Sequence, residues 1–411
     1  MAIPTAESTA NSMKLPRGSA VHDTAGIDAA EILSRARAAA GILRGRSEDI
    51  DRKRQLPDDV VALLRSTGVF RMAMPAAWGG PELTSAQQTE VIEAIATGDA
   101  SAAWCAMIGA DSGIFSGYLE DSVARELFPD LDTATAGFLN PVGRAERVPG
   151  GYRISGDWVF GSGITHCDLL TAGCRVYRDG EPEPDADGDP VQWRVMIARP
   201  EDFEIHDSWY TTGLAGSGSR DYSTSDLFVP EEHSFSFSAP RREGLLHAAP
   251  DAILRTMPGV PLGLARAALD HVRELAESRT DRTSGTPWAR LERVTRTIAE
   301  CEMDLSAARS YVFASLDEQW KRLAAGQRPT ADERIATALA RYKAFHSSHA
   351  IVSRLFALVG GAAIYSKRSP MDRWLRDVTT MCRHVDAGDQ NLTSAGELLL
   401  GGSIPQKTLL W

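Results

Sequence analysis

The apolar residues of this chain change period twice, and that switch limits the possible folds more than any other feature. From about residue 28 to 128 they recur at three or four. Leu33, Ala36, Ala40 and Leu43 share one helical face, and Pro57 opens a second helix with Val60, Val61 and Leu64 inward, which Gly68 ends. Met74 to Gly80 is a loop by its Pro and Gly content. A third helix covers roughly 85–97. A fourth begins after Asp99, a side chain suited to cap it, and carries Trp104, Met107 and Ile108 inward. Near 133 the character becomes β-rich, with strands expected at 151–160, 168–177, 191–198, 203–209 and 223–229. After 257 the helical period returns over 259–278, 287–325, 330–360 and 371–400, the pattern of an antiparallel four-helix bundle. The chain thus reads as mainly α with a central β-domain: a disordered tail over 1–27, an N-terminal helical domain over 28–132, a β-domain over 133–235 and a C-terminal bundle over 236–411.

Charge and cysteine content narrow the function classes. Forty-four Lys and Arg against 55 Asp and Glu give a net charge of −11, which argues against a nucleic-acid or anionic-membrane binder. A phosphate-bearing cofactor remains compatible, since it needs only local Arg residues or helix N-termini. Arg178 to Pro190 holds six acids and three prolines in thirteen residues and reads as a solvated hairpin loop. The five cysteines are scattered, with no Cys-x-x-Cys pair, as expected for free thiols in a reducing compartment. The polar first 27 residues have no signal-peptide core, and no run approaches 18 uninterrupted apolar residues. A cytoplasmic protein with no membrane partner is the expectation. His346 and His349 share a helix face, but no carboxylate or cysteine completes a metal site. A Rossmann fingerprint, a P-loop and a Gly-x-Ser-x-Gly elbow are all missing from the sequence.

Several segments resemble one family in order and spacing. They are Pro75-Ala-Ala-Trp-Gly-Gly80, Asp99-Ala-Ser-Ala-Ala-Trp104, Pro141-Val-Gly-Arg-Ala145, Gly151 through Gly163, Gly213-Leu-Ala-Gly-Ser-Gly-Ser219, Gly263 through Asp270 and Arg373-Trp-Leu-Arg-Asp377. Over about residues 28–401 the chain resembles an acyl-CoA dehydrogenase-fold flavoprotein, and within that superfamily the oxygenase component of a two-component flavin-dependent monooxygenase. The resemblance implies reduced FMN or FAD delivered by a separate reductase, O₂ as co-substrate, and a homotetramer joined through the bundle.

It also implies roles for particular residues. Gly161-Ser162-Gly163 bends the chain and lets backbone approach a planar ring, and a hydroxyl there can donate to or accept from a ring nitrogen. The resemblance places Ser162 at flavin N5, with Gly163 and the strand of Trp158 and Phe160 against the ring; a surface serine on a strand turn is the plain alternative. Arg279, at the end of an amphipathic helix, matches an arginine that binds flavin phosphate across a subunit interface, or it caps the helix. Gly360-Gly361 matches a pair beside the nucleotide end of the cofactor, or it stops a helix. His384 matches a histidine that faces substrate over the flavin, where a near-neutral pKa suits acid–base work.

Two departures matter. The Tyr-Glu-Gly-Thr-like run that carries the thioester-deprotonating Glu of many dehydrogenases is replaced by His384-Val-Asp-Ala-Gly-Asp389, in which Asp386 is a poor substitute. And where many aromatic hydroxylases have a His shortly after the Trp of the Ser-Ala-Ala-Trp motif, this chain has Asp111. A carboxylate there would sooner meet an amine or a hydroxyl donor than a phenolate. Trp104 and Asp111 are therefore the candidate substrate residues, and hydroxylation of an aromatic competes with N-oxygenation of an amine. In either case the resemblance implies a flavin C4a-hydroperoxide as the oxygen donor, with His384 activating the substrate. A thioester dehydrogenase, or a non-catalytic binding member of the fold, are the remaining alternatives.

Overall fold

The computed structural model describes residues 26–185, 190–247, 250–327 and 330–402. Most of the predicted tail and the tip of the acidic loop lie outside the described residues. Six N-terminal helices come first: α1 (Ala29–Lys53), α2 (Asp58–Thr67), α3 (Ser85–Ala96), α4 (Ala100–Gly109), α5 (Ser112–Phe115) and α6 (Asp121–Leu127). Their ends follow local chemistry. Gly68 closes α2 in the left-handed region at φ 81°, and the Asp99 carboxylate accepts the Ala102 N–H at 2.9 Å to open α4.

One mixed sheet follows, made of β1 (Thr135–Val148), β2 (Gly151–Gly161), β3 (Leu169–Arg178), β4 (Glu181–Pro182), β5 (Trp193–Ala198), β6 (Glu204–Ile205), β7 (Arg220–Pro230) and β8 (Ser234–Phe235). The order is β6-β7-β2-β1-β3-β5-β8, with β4 paired to β3. The central strand β1 runs antiparallel to β2 and parallel to β3. It was not expected as a strand, because Gly137, Pro141 and Gly143 interrupt its pattern. The sheet absorbs them by a register shift between Phe138 and Gly143.

Trp158 on β2 is wholly buried in the sheet's own core, with Tyr152, Ile154, Tyr222 and Phe203. Its indole stacks on Tyr222 at 5.5 Å and donates to the Gly173 carbonyl at 2.9 Å. A side chain at position 143 would put its Cβ 2.3 Å from that indole, so β1 needs glycine there.

The C-terminal helices are α7 (Gly259–Ser278), α8 (Glu292–Ala324), α9 (Ala331–Val359), α10 (Met371–Met381) and α11 (Gln390–Leu399). The stretch expected as a single helix over 371–400 is therefore broken. Cys382 to Asp389 leaves the helix, and His384 is extended at φ −64° and ψ 145°. Helix α9 lies at the centre, packed by α7, α8, α10 and α11. The run Glu333–Ile364, which extends past the end of α9, is long and apolar enough to cross a membrane by length and composition, and part of it is buried against the neighbouring helices. The N-terminal helices and the bundle share one apolar core, including Ile92, Trp104, Val260, Leu264, Phe345 and Val378, while the sheet has a second.

Helix α10 clamps the loop that leads into β7. Gly213 packs so tightly that a Cβ would fall 2.1 Å from the Arg376 carbonyl oxygen. Leu214, held at φ 50°, donates its N–H to the buried Asp377 carboxylate at 2.7 Å. Burial pushes the Asp377 carboxyl up to about 7, and repulsion from Asp99 adds to this, against the opposing pull of the Leu214 N–H and Arg373. A folded-state pKa above the unfolded one means the native state holds a proton that the unfolded chain has released. Stability from this group is therefore present at low pH and lost as pH rises from the ordinary carboxylate range through about 7. Asp377→Asn keeps an acceptor for Leu214 and removes the titration. The fall in stability between pH 5 and 7 should be shallower in the variant by ~1 kcal/mol per pH unit, measured by denaturant unfolding at several pH values. Identical slopes would contradict the shift.

Candidate functional site

Three segments of the chain meet at Trp104. The indole, on α4, donates from Nε1 to Ser162 Oγ at 3.1 Å, at the end of β2. Its ring meets the His384 imidazole edge-on, with centroids 5.6 Å apart, in the break between α10 and α11. Ser162 is buried, and its hydroxyl lies 2.8 Å from Ser219 Oγ. Ser219 lies 2.7 Å from Ser217 Oγ, and Ser217 donates to the Leu214 carbonyl at 2.7 Å. The Asp377 clamp thus ends on the same loop as the serine chain. Gly163 N–H and the Cys105 thiol both donate to the Ser217 carbonyl, which fixes the β2 turn against α4. The serines at 217 and 219 lay within a noted motif but received no role from the sequence. Their flanking glycines, Gly216 and Gly218, were the signal of a tightly packed turn.

The end of β2 corrects one assignment. Strict alternation puts Trp158 and Phe160 on one face, both against a ring. Instead the β2–β7 register shifts between Trp158 and Gly161, and Phe160 sits at φ 59°. This bulge leaves Trp158 inside the sheet core and turns Phe160 outward, 57% exposed, beside the partly exposed Val159. Trp158 therefore supports the strand from behind and offers no ring face, while Phe160, Ser162 and Gly163 remain at the surface of the turn or directly beneath it.

His384 is held on one side. Its Nδ1 accepts the Asp386 N–H at 3.3 Å and lies 3.2 Å from Asp386 Oδ2. Asp386 is buried and faces Arg341 of α9, itself buried, at 3.7 Å. Burial disfavours the Asp386 anion, but the His384 contact and the Arg341 charge outweigh it and hold the acid below its ordinary range. The side chain of His384 stays one-third exposed, and among the described residues Nε2 has no partner. Arg341 was missed in the sequence, where its one signal is a charge within an apolar stretch of helix.

Asp111 follows α4 at the N-cap of α5, but its side chain makes no capping bond. With Trp104 and Ile108 it falls at i, i+4 and i+7, so the three share a side of the turn. Burial pushes its carboxyl well above the ordinary carboxylate range.

The remaining candidates lie apart from this junction. Arg279 ends α7, with its guanidinium 5.1 Å over the Trp288 ring. Gly360 closes α9 at φ 68°, and side chains at 360 or 361 would meet open space. No contact in this chain joins Arg279, Gly360 or Gly361 to Ser162, Trp104 or His384 among the described residues. A separate cleft of about 330 Å³, lined by residues such as Arg44, Asp270, His271, Lys367, Arg373 and Trp374, shares none of the junction's residues.

The junction suits a planar ring that carries an N–H. Ser162 keeps one unused acceptor position, Phe160 and Val159 offer outward apolar surface, and His384 presents a free imidazole nitrogen.

Comparison with known proteins agrees. Residues 31–122 match the family model described as "Acyl-CoA dehydrogenase, N-terminal domain" and residues 256–387 that described as "Acyl-CoA dehydrogenase, C-terminal domain". An indole-3-acetate monooxygenase of Pseudomonas putida is 28% identical over 87% of this chain and 90% of its own length. The HsaA flavin-dependent monooxygenase oxygenase subunit of Rhodococcus jostii is 26% identical over 82% of this chain and 89% of its own. Among solved structures, the 3-HSA hydroxylase of Rhodococcus sp. RHA1 superposes with a TM-score of 0.84 at 24% identity, covering 93% of this chain and 99% of that one. XiaF from Streptomyces sp., in complex with FADH2, gives 0.84 at 22% identity, covering 92% of this chain and 97% of that one. The chain belongs to the acyl-CoA dehydrogenase family.

Proposed function

We infer that the protein is the oxygenase component of a two-component monooxygenase that receives reduced flavin from a separate reductase and oxygenates an aromatic substrate. The observation that carries this is the Trp104 junction, where a buried hydroxyl and an outward-facing imidazole nitrogen converge. Bound reduced flavin supplies the two electrons that activate O₂, one oxygen atom going to substrate and the other to water.

Ser162, backed by Trp104, would meet N5 of the ring, with Gly163 and Phe160 at its edge. His384 then works on the substrate side. Asp386 meets Nδ1 twice, with its carboxylate at 3.2 Å and with its backbone N–H donating at 3.3 Å, and so fixes the orientation of the imidazole. Nε2 faces outward, placed to exchange a proton with a ring hydroxyl or ring N–H. Burial raises the Asp111 carboxyl well above its ordinary range, which favours the form that donates a hydrogen bond over the negatively charged one. The shift weakens the objection that a carboxylate there would repel a phenolate, and relatives named for indole-3-acetate and resorcinol support an aromatic substrate over an amine.

The dehydrogenase alternative needs a free carboxylate over the ring. Asp386 is buried, committed to His384 and Arg341, and held anionic, which makes it a weak proton acceptor. Reduced FAD is the better-supported flavin, since XiaF is described with FADH2 and the resorcinol hydroxylase of Rhizobium sp., 25% identical, is named as FADH(2)-dependent. A homotetramer in the cytoplasm completes the reading. The exposed Ile364, Tyr365, Leu399 and Leu400 offer apolar surface on the bundle for assembly, and Arg279, Gly360 and Gly361 would reach the nucleotide end of a neighbouring subunit's flavin.

The test is turnover with a flavin reductase, NADH, FAD and a panel of phenols and indoles under ¹⁸O₂. One labelled oxygen atom in the product supports the assignment. Reduction of bound flavin by an acyl thioester, with no reductase and no labelled product, contradicts it. His384→Ala should lower product formation by roughly 10²–10⁴-fold while O₂ is still consumed and released as peroxide. Unchanged product yield would remove His384 from the chemistry. Asp386→Asn removes the negative charge beside the imidazole and should slow product formation by at least about tenfold with reduced-flavin binding unaltered. Loss of flavin binding instead would mean that Asp386 holds the fold rather than the base.

A further inference from the structure

The serine chain behind the β2 turn has a direction, and that direction determines what Ser162 can offer a ligand. A carbonyl oxygen only accepts, so at 2.7 Å from Leu214 O the hydroxyl proton of Ser217 must point to that carbonyl. The same carbonyl also accepts from the Trp209 indole at 3.0 Å, and its residue is anchored through Leu214 N–H to Asp377. With its own proton used, Ser217 can only accept from Ser219 across their 2.7 Å contact. Ser219 has then spent its proton, so the 2.8 Å contact to Ser162 requires Ser162 to be the donor. Any other arrangement leaves two oxygens at hydrogen-bond distance with no proton between them. On its remaining side, Ser162 Oγ accepts the Trp104 Nε1–H. Its one proton and one of its two lone pairs are taken, and what is left is a lone pair. All three serines are buried, so water does not readily reset the chain.

We propose that Ser217 and Ser219 are positioning residues that polarise Ser162 as a hydrogen-bond acceptor, so that the site selects reduced over oxidised flavin. This rests on the reading of Ser162 beside N5. In the reduced ring N5 carries a hydrogen and donates; in the oxidised ring it carries only a lone pair. A Ser162 lone pair therefore bonds the reduced form and opposes the oxidised one. The consequence suits an oxygenase fed by a diffusing reduced cofactor, because the spent oxidised ring is the form the site holds less well. Removing either supporting serine breaks the relay. Without Ser219, the Ser162 proton is free to turn toward N5. Without Ser217, Ser219 loses its acceptor and turns its own proton to Ser162, with the same result.

The experiment is an anaerobic titration with FADH₂ and a parallel titration with FAD, on the full chain and its variants, with unfolding curves to show that each is folded. In Ser219→Ala and in Ser217→Ala the preference for reduced over oxidised FAD should fall by about tenfold, the worth of one hydrogen bond changed in sign. A tenfold change corresponds to a midpoint potential of bound flavin lower by ~30 mV. Ser219→Thr, which keeps the hydroxyl, should restore the preference. Ser162→Ala should weaken FADH₂ binding and spare FAD. If Ser162→Ala weakens FADH₂ but both supporting variants keep the wild-type preference within about twofold, the polarity is wrong while the N5 contact stands. If Ser162→Ala changes neither affinity, the N5 reading fails and the proposal with it. Should Ser219→Ala not fold, Ser217→Ala decides the question alone.

Discussion

The Trp104 indole is the tie on which the site depends. Its N–H takes the end of a strand and its ring edge takes the break in the C-terminal helices, so one side chain from the first helical layer sets the separation between Ser162 and His384. It can do so because α4 is buried nearly all round, from Ala100 to Met107, and the Asp99 cap fixes where that helix starts. A tryptophan so enclosed has little rotamer freedom, and the hydroxyl it binds inherits that rigidity.

Around this tie the chain spends its buried polar groups in two sets. One runs from Asp377 through the Leu214 peptide to the three serines and ends at Ser162. The other runs from Arg341 through Asp386 to His384. Both begin on a bundle helix and end at the junction, where a lone pair on Ser162 and Nε2 on His384 face outward, although Asp386 Oδ1 and Arg341 Nε within the second set also make no hydrogen bond. Buried polar groups without partners are costly, which makes such open valences a better sign of ligand chemistry than the residue types alone. The carboxylate beside the histidine is buried and paired with His384 and Arg341, which leaves it poorly placed to serve as the proton-abstracting base of a thioester dehydrogenase.

Much of the architecture was legible because its signals are local. The Pro57 start, the Gly68 stop and the Asp99 cap were read correctly from short-range chemistry, as were β2, β3, β5 and β7 to within a few residues. What escaped depends on distant partners. Strand β1 hid behind Pro141 and two glycines, which only a register shift against β3 makes tolerable. The run 371–400 keeps a helical period with no proline, yet the pull of Arg341 and Asp386 accompanies a break at His384. Phe160 and Trp158 looked equivalent by alternation, and the bulge that separates them is set by β7. Ser162, His384 and Trp104 were found as candidates, but their mutual contact was not, nor were the supporting roles of Ser217, Ser219 and Arg341. Spacing shows which residues share a face of one element; it says nothing about which faces of three elements meet.

The account stands on the claim that the Trp104 junction is where reduced flavin sits. A crystal structure of the protein soaked anaerobically with FADH₂ tests this most directly. The prediction is N5 about 3 Å from Ser162 Oγ, with the His384 imidazole across the ring on the open side. A ring bound elsewhere, or one turned so that N5 lies out of reach of Ser162, would contradict it.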